Sequence, residues 1–405
     1  MRYSVALPTE ISDKARSHLI REDGQEDVCF GLYSPSQGAD RYSGLIVDLV
    51  MPEEGDRTVQ GNVRFSTAYF VRVLGIALKR NLGIAVMHSH PAGQGWQFAS
   101  DDDLKSENTY AHTAFGGTSL PLIGMTLSGD YAWSARVWRR VGRRKYDCNW
   151  CEKVRVVGSS LVVNYNPKML PIPQFKEKLS RTVSAWGPQV QAQIARLRIG
   201  IVGVGGVGSI VAEALARMGM QEILLIDFDS VEFVNLDRLL HSLEKDAQTR
   251  QAKVQVIAKA IKKSSTANKF VVKAFENSVI EPEGFVHALD CDVLFSCVDR
   301  PWPRSVLNFI AYAHLIPVID GGVRVIVNPN GTLKKADWGS HVVGNGRRCM
   351  ACLEQYDPGL VAAERDGLLD DPEYIKGLDE DNPIRHNENV FSFNLSVASM
   401  NILQF

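Results

Sequence analysis

The stretch RIGIVGVGGVGSIVAEALARMGMQEILLIDFDSVEFVNLDR, residues 198–238, decides the fold of the second half of the chain. The apolar runs at 199–202 and 223–226 predict two buried strands. A glycine turn and an amphipathic helix over 209–218 lie between them. In such a unit the glycines let a phosphate approach the backbone closely, and the N-terminus of the helix offers it unpaired N–H groups. The glycines of this turn are Gly203, Gly205, Gly206 and Gly208.

Asp227 ends the second strand about 20 residues after the glycines, where a carboxylate can accept a hydrogen bond from a ribose hydroxyl. A glycine turn alone would suggest a dinucleotide enzyme, but the segments DFDSVE (227–232) and NLDR (235–238) are not typical of a dehydrogenase. They resemble the ThiF-type adenylyltransferases, the family that includes the ubiquitin-activating enzymes. The resemblance covers roughly residue 175 to the end. It implies a Rossmann-like, mostly parallel sheet and ATP-dependent activation of the C-terminal carboxylate of a ubiquitin-like protein.

This resemblance implies roles for polar residues of the predicted adenylation domain, residues 179–405. Arg181 would reach the ATP phosphates, often across a dimer interface, and Lys253, on a helix predicted over about 248–263, would lie against the phosphates. Asp299 ends the apolar run at 293–298, and a carboxylate at the C-terminal edge of a parallel sheet lies in the ligand crevice; the family uses it to hold Mg²⁺. Arg238, Lys253 and Asp299 are the expected catalytic residues. The expected ATP and magnesium site comprises Gly203, Gly205, Gly206, Gly208, Asp227, Asp229, Asn235, Arg238, Lys253, Asp299 and Arg181.

The first part of the chain, residues 1–145, predicts a separate α/β domain. Apolar and β-branched runs predict its strands, and apolar residues at helical spacing predict its helices. The predicted strands are 28–33, 43–50, 83–87 and 131–138, and the predicted helices are 9–21 and 66–80.

The predicted strand at 83–87 leads into His88-Ser89-His90-Pro91. Two histidines two residues apart at a strand end point to the same side. With one carboxylate they make a three-ligand zinc site whose fourth position is open to water. Together with a downstream Ser-x-x-Asp, this pattern resembles the JAMM motif of the JAB/MPN metalloproteases. The resemblance implies His88, His90 and Asp103 as zinc ligands and Ser100 as the serine that supports the oxyanion.

That family also uses a distant glutamate, which takes a proton from the zinc-activated water. Glu26 precedes an apolar strand and resembles the family's position, whereas Glu53 and Glu54 are competitors. The loop before Ser100 is longer than is usual in the family, so Asp101 and Asp102 are possible substitute ligands. Two alternatives stay open: ordinary strand-end histidines, and a site that folds without cleaving.

Four of the seven cysteines form two Cys-x-x-Cys pairs, Cys148/Cys151 and Cys349/Cys352. An odd number of cysteines spread over 405 residues is not a disulfide framework. The first pair opens a connector predicted for residues 146–178, irregular from residue 152. The second pair resembles the first zinc knuckle of the ThiF-type family. Since four thiolates make a closed zinc site, one hypothesis is a structural zinc shared by all four; two unrelated pairs are the alternative.

Many ThiF-type relatives carry a catalytic cysteine in a crossover loop after the zinc knuckle. The corresponding region here, 357–386, is acidic, and no cysteine follows Cys352 in the sequence. Either the reaction stops at the acyl adenylate or the nucleophile lies on a partner. The last stretch, 390–405, predicts an apolar helix.

The composition argues against two classes of partner. Lys and Arg number 45 and Asp and Glu 46, so the net charge of −1 does not favour nucleic acid or an anionic membrane. No apolar run is long enough to span a bilayer, and the N-terminus lacks the apolar core of a signal peptide. The expected location is cytoplasmic.

These observations predict a two-headed enzyme that uses ATP, Mg²⁺ and Zn²⁺. Its zinc (iso)peptidase would process or deconjugate a ubiquitin-like protein, and its adenylation domain would activate that protein's C-terminus. Such fusions resemble bacterial ubiquitin-like conjugation modules, some of them linked to antiphage defence. The expected partners are the ubiquitin-like protein, a conjugating enzyme and a second copy of the adenylation domain. The alternatives are activation of a sulfur-carrier protein for biosynthesis and a non-catalytic binding scaffold, with a nicotinamide oxidoreductase last.

Overall fold

The computed structural model describes residues 1–60, 62–328, 330–378, 382 and 389–405. The chain divides into two compact units, Met1–Ile172 and Pro173–Phe405. Both units are α/β, as the sequence predicts. None of the helices in the described ranges is long and apolar enough to cross a membrane.

The first unit is built on a nine-stranded mixed sheet in the order β11-β10-β1-β3-β2-β6-β7-β8-β9. A separate hairpin, β4–β5, follows β3. The strands are β1 (Arg2–Pro8), β2 (Val28–Gln37), β3 (Arg41–Val50), β4 (Arg57–Gln60), β5 (Asn62–Phe65), β6 (Gly83–His90), β7 (Leu122–Ser128), β8 (Trp133–Gly142), β9 (Lys145–Trp150), β10 (Lys153–Val157) and β11 (Leu161–Tyr165). The helices are α1 (Thr9–Leu19), α2 (Thr67–Arg80) and α3 (Asp101–Thr118).

Side-chain alternation along these strands divides the core of the first unit into two clusters, one on each face of the sheet. On one face, Met87 and Trp133 pack with Leu19 of α1. On the other face, Val86 and Trp138 pack with apolar residues of α2 and α3. The position of the metal motif follows from this alternation, because His88 and His90 continue the face that α2 and α3 cover.

The predicted elements of the first unit are confirmed, with ends that differ by a few residues. The irregular conformation predicted from residue 152 onward is wrong for residues 153–165, which form β10 and β11. Strand β10 pairs in parallel with β1 and so extends the sheet of the first unit. The prolines that suggested a connector lie after these two strands, whose residues are rich in valine.

The second unit contains a six-stranded sheet in the order β14-β13-β12-β15-β16-β17, parallel except for β17. Its strands are β12 (Arg198–Val202), β13 (Glu222–Ile226), β14 (Val271–Phe275), β15 (Val293–Ser296), β16 (Val318–Val327) and β17 (Leu333–Val343). Its helices are α4 (Ser180–Trp186), α5 (Pro188–Ala195), α6 (Gly206–Arg217), α7 (Glu244–Gln248), α8 (Lys253–Ser264), α9 (Pro282–Ala288), α10 (Pro301–Ala313), α11 (Pro358–Arg365), α12 (Pro372–Gly377) and α13 (Phe391–Gln404).

The strand order of this sheet reverses at β12, which lies between β13 and β15. Ligands of open parallel sheets bind outside the carboxyl ends of the strands at such a reversal. The predicted helix over 248–263 begins later, at Lys253; residues 249–250 form a turn and Ala252 forms an isolated bridge with Ser230. Of the crossover loop predicted at 357–386, residues 379–381 and 383–386 lie outside the described residues.

Candidate metal centre and candidate nucleotide site

Strand pairing brings Glu26 beside the two histidines. Strands β2 and β6 are antiparallel, with Val28 opposite His88. Glu26 precedes Val28 by two residues and His90 follows His88 by two, so both positions continue the same face of the sheet. The Oε1 atom of Glu26 lies 3.9 Å from Nε2 of His90.

Helix α3 brings the third ligand candidate, and a capping box fixes its carboxylate. The Asp103 N–H donates to Oγ of Ser100 at 3.1 Å, and the Ser100 N–H donates back to Oδ2 of Asp103 at 2.9 Å. The Ser100 hydroxyl donates to the same Oδ2 at 2.7 Å. The Ser-x-x-Asp motif therefore begins the helix as well as supplying a carboxylate. This arrangement holds Oδ2 of Asp103 3.8 Å from Nε2 of both histidines.

The three side chains fit a divalent zinc ion. The two histidine Nε2 atoms are 3.2 Å apart, and ligands at 2.0–2.1 Å from a tetrahedral ion lie about 3.3 Å from one another. A search of the described residues for clusters of possible metal ligands finds one group, whose ligand atoms all lie within 4.8 Å of one another. It consists of His88, His90 and Asp103. Asp101 and Asp102, the substitutes considered above, are exposed and lie outside this group.

The pKa shifts of the side chains at this site agree with a zinc centre. Burial, reinforced by the nearby Arg136 cation, lowers the pKa of His88 to about 3, so the imidazole is neutral, as a metal ligand must be. Although burial opposes it, the pKa of Asp103 is held below its ordinary value by His88 and by the hydrogen bonds from Ser100. Burial raises the pKa of Glu26, and His90 opposes this shift. Of the competing glutamates, Glu53 pairs with Arg72 at 3.2 Å.

The glycine turn of the second unit gives each glycine a distinct environment. Gly203 has a positive φ of 84°, which favours glycine. A Cβ on Gly208 would lie 1.9 Å from the carbonyl oxygen of Gly203, so this glycine permits α6 to approach the strand end. A Cβ on Gly205 would meet nothing within 4 Å, which leaves this face of the turn open to a phosphate. A Cβ on Gly206 would lie 2.3 Å from the side-chain amide nitrogen of Asn394 on α13, so this glycine leaves room for that amide.

Asp227 connects the end of β13 to this turn. Its Oδ2 accepts the Val204 N–H at 2.6 Å, and its Oδ1 accepts the Asp229 N–H at 2.8 Å. Burial raises the pKa of Asp227, and Lys253 opposes the shift. Lys253, the first residue of α8, donates its Nζ to Oδ2 of Asp229 at 2.7 Å. The structure therefore brings Asp227, Asp229 and Lys253 together at the carboxyl end of β13.

The remaining predicted nucleotide residues lie in the loop after β13, after β15 and on α4. Asn235 accepts the Glu232 N–H at 3.0 Å and so shapes the loop after β13. Arg238 donates to the Val234 carbonyl and to Asp237, and its own carbonyl oxygen borders Gly206. Asp299 is exposed three residues after β15, and Arg181 is exposed on α4. Their roles toward ATP and magnesium stay predictions.

A buried carboxylate near the start of β16, opposite the last residue of β15, was not singled out by the sequence analysis. Asp320 is fully buried and accepts the Ser296 hydroxyl at 2.6 Å. Its Oδ1 also lies 3.4 Å from Nε of Arg304. The signal available in the sequence is Asp320-Gly321-Gly322 directly after the apolar run at 315–319.

The two cysteine pairs have different surroundings. Cys148 packs against the cluster that contains Trp138, whereas Cys151 is buried in the cluster on the other face of the sheet. Burial raises the pKa of both thiols, that of Cys148 to about 11. In the second unit the Cys352 N–H donates to Sγ of Cys349 at 3.3 Å. The shared structural zinc and the two unrelated pairs both stay predictions.

Comparison with known proteins finds a family match in the second unit. Residues 178–363 match the model of the ThiF family. Among curated proteins, the chain is 33% identical over 122 residues to ubiquitin-like modifier-activating enzyme 5 of Dictyostelium discoideum, which is 28% of this chain and 32% of that protein. The Arabidopsis thaliana protein of the same name is 34% identical over 127 residues, 29% of this chain and 30% of that protein. The chain thus spans about a third of the length of these relatives.

Two solved structures show more distant similarity. Escherichia coli MccB with ATP has a TM-score of 0.41 at 21% identity, covering 56% of this chain and 62% of that chain. The E. coli tRNA N6-threonylcarbamoyladenosine dehydratase TcdA has a TM-score of 0.36 at 20% identity, covering 56% and 93%.

Proposed function

We propose that the chain combines two activities on one class of substrate. The second unit would adenylate the C-terminal carboxylate of a ubiquitin-like or sulfur-carrier protein with ATP. The first unit would be a zinc (iso)peptidase that exposes that C-terminus, or removes the protein from its conjugates. The observation that carries the proposal is the ThiF-family match over residues 178–363, with the open glycine turn inside it.

In the adenylation step, a carboxylate oxygen of the substrate attacks the α-phosphate of ATP, and pyrophosphate leaves. The protein contributes mainly orientation and compensation of charge. The open face at Gly205 and the first N–H groups of α6 would receive phosphate oxygens, and Lys253 would turn from Asp229 toward them. Asp299 would hold the magnesium ion on ATP. Asp227 would accept a ribose hydroxyl while it keeps the turn in place.

In the peptidase step, His88, His90 and Asp103 would hold zinc. When bound, zinc supplies Lewis acidity that polarises a carbonyl group and makes a water molecule more acidic. Glu26, beside His90, would take the proton from the attacking water and deliver it to the leaving amine. The Ser100 hydroxyl, which donates to Asp103 in the structure, would donate to the oxyanion.

ATP–pyrophosphate exchange tests the adenylation half. The full chain would be assayed with and without small glycine-ended ubiquitin-like proteins from the source genome, with Asp299→Ala as the control. Exchange that requires one of these proteins and is lost in the variant supports the proposal and identifies the substrate. Lack of exchange with every candidate argues for a binding scaffold instead.

Zinc content and cleavage of an extended precursor of that substrate test the peptidase half. Loss of zinc in the His88→Ala/His90→Ala variant is expected, together with loss of cleavage. Glu26→Gln should keep its zinc and lose cleavage, because Glu26 moves a proton rather than binding the ion. Cleavage by the double-alanine variant would refute the assignment.

Sulfur-carrier activation is the second candidate, because residues 357–386, where many ThiF-type relatives carry a catalytic cysteine, contain none and this route requires no thioester on the enzyme. A carrier thiocarboxylate formed with a sulfur donor would favour it, whereas an isopeptide-linked conjugate would favour ubiquitin-like conjugation with a conjugating enzyme.

A homodimer through the second unit and a cytoplasmic location complete the proposal. The exposed Arg181 is then available to a partner copy's ATP site.

A further inference from the structure

A buried ion pair lies beneath the helix that carries Asp103. Glu107, one turn further along α3, accepts hydrogen bonds from Nε of Arg136 at 2.8 Å and from its Nη2 at 2.5 Å. The indole N–H of Trp138 donates to the same carboxylate at 2.7 Å. The side chains of Arg136 and Glu107 are 0% and 4% exposed. We call Glu107, Arg136 and Trp138 the α3 anchor.

Helix α3 is otherwise held by two small buried side chains and by Leu104 and Tyr110, which are partly buried against the same core cluster. Its buried residues are Glu107, Ala111 and Ala114, so no large apolar side chain of this helix is fully buried. Gly124 on β7 provides the space for the anchor, since a Cβ there would lie 2.3 Å from Oε2 of Glu107. The carboxylate therefore rests directly on the backbone of the sheet.

The anchor also connects Asp103 to the strand of the histidines. Asp103 and Glu107 are four residues apart and share one face of α3. Nη1 of Arg136 donates to Oγ1 of Thr126 at 3.0 Å, and this hydroxyl lies 3.5 Å from Nε2 of His88. A chain of polar contacts thus runs from the Asp103 helix through β8 and β7 to His88.

We propose that the α3 anchor positions Asp103 against His88 and His90 and thereby sets the metal affinity of the site. This inference rests on the zinc site of the proposed function. The capping box fixes the carboxylate relative to α3, but the bidentate pair with Arg136 fixes α3 relative to the sheet. Without it, Asp103 would move away from the two imidazoles while all three ligands remain in the chain. Groups that orient metal ligands typically contribute about 10–100-fold to affinity.

Metal affinity of the full-length apo protein tests this inference. Zn²⁺ would be titrated in competition with a chelator, and Co²⁺ would report ligand geometry through its visible absorption. Glu107→Gln should weaken Zn²⁺ binding by about 10–100-fold and change the Co²⁺ spectrum. Lys105→Gln, which removes an exposed charge from the same helix, is the matched control and should leave both unchanged.

Glu107→Gln also leaves Arg136 buried without its counter-charge and can lower stability. Two further variants separate this effect from positioning. Glu107→Leu/Arg136→Met removes both charges and keeps a packed interface, so it should fold and still bind zinc at least about tenfold more weakly. Trp138→Phe keeps an aromatic ring, removes one hydrogen bond to Glu107, and should weaken binding a few-fold.

The outcomes distinguish this inference from the proposed function. Wild-type protein that binds zinc tightly, with weaker binding in the folded anchor variants, supports the anchor. Unchanged affinity and an unchanged Co²⁺ spectrum in the folded double variant would overturn it and leave the zinc site standing. Wild-type protein without zinc affinity would overturn the peptidase proposal and the anchor with it.

Discussion

The same substitution at two glycines of the nucleotide turn should have opposite consequences. In Gly208→Ala, the new Cβ would lie 1.9 Å from the Gly203 carbonyl oxygen and 3.0 Å from its carbon. These are backbone atoms next to β12, so they cannot rotate away as a side chain would. In Gly205→Ala, the new Cβ would meet no atom within 4 Å.

The structure gives the expected magnitudes. Overpacking costs about 1–3 kcal/mol when side chains can adjust, so a clash with backbone should cost about 3 kcal/mol or more at Gly208. For a unit of this size that lowers Tm by about 6–12 °C. Gly205 is the N-cap of α6, and its replacement by alanine should cost at most about 1 kcal/mol. Its Cβ would instead occupy the path of a phosphate, and ATP affinity should fall at least about tenfold, which corresponds to about 1.4 kcal/mol.

Thermal unfolding of the full chain and ATP binding by calorimetry measure the two effects. Gly208→Ala should mainly lower the transition temperature of the second unit, and Gly205→Ala should mainly lower the affinity for ATP. If Gly205→Ala bound ATP like wild type, the phosphate would not approach the open face of the turn. If Gly208→Ala kept the wild-type Tm, the close approach of α6 to Gly203 would not limit the packing.

Three further predictions concern single side chains. Lys253→Met should reduce pyrophosphate exchange at least about 100-fold and change stability by no more than about 1 kcal/mol, because its ion-pair partner Asp229 is about half exposed. A large loss of stability with normal exchange would contradict this role. Hydrogen bonds, including those from Arg57, hold the pKa of Asp27 below its ordinary value, although burial opposes this shift. The ionised Asp27 therefore stabilises the folded protein above about pH 4, and this contribution is lost as the pH falls further. Arg57→Met should therefore unfold at higher pH in an acid titration followed by circular dichroism, and an unchanged midpoint would refute this. Cys148→Ser should lose one zinc equivalent if the four cysteines share an ion, and full zinc content would exclude that ion.

The motifs of both candidate sites could be predicted from the sequence because each depends on short-range constraints. Each motif spans only a few consecutive residues, so residue type and spacing determine its local geometry. This holds for the glycine turn, for His88-Ser89-His90 and for the Ser-x-x-Asp capping box. Alternation along β6 likewise places both histidines on one face. The parallel sheet of the second unit also follows from its alternating strands and helices.

Residues that meet across long distances in the sequence required the tertiary structure. The register of β2 against β6 places Glu26, rather than Glu53, beside the two histidines. This register cannot be read from the sequence alone. The contact of Asn394 with Gly206 depends on where α13 packs. Strands β10 and β11 join the first unit because β1 offers them an edge, although prolines follow close behind.

The sequence by itself thus determined the chemistry of each site: which side chains can bind a metal and which backbone can accept a phosphate. The tertiary structure alone decided how those groups are held in place. Glu107 and Arg136 meet on α3 and β8, 29 residues apart in the chain, and their pairing depends on the packing of a helix on a sheet. Such a pairing leaves no periodic or local signal, because a buried charge becomes recognisable only when its partner is known.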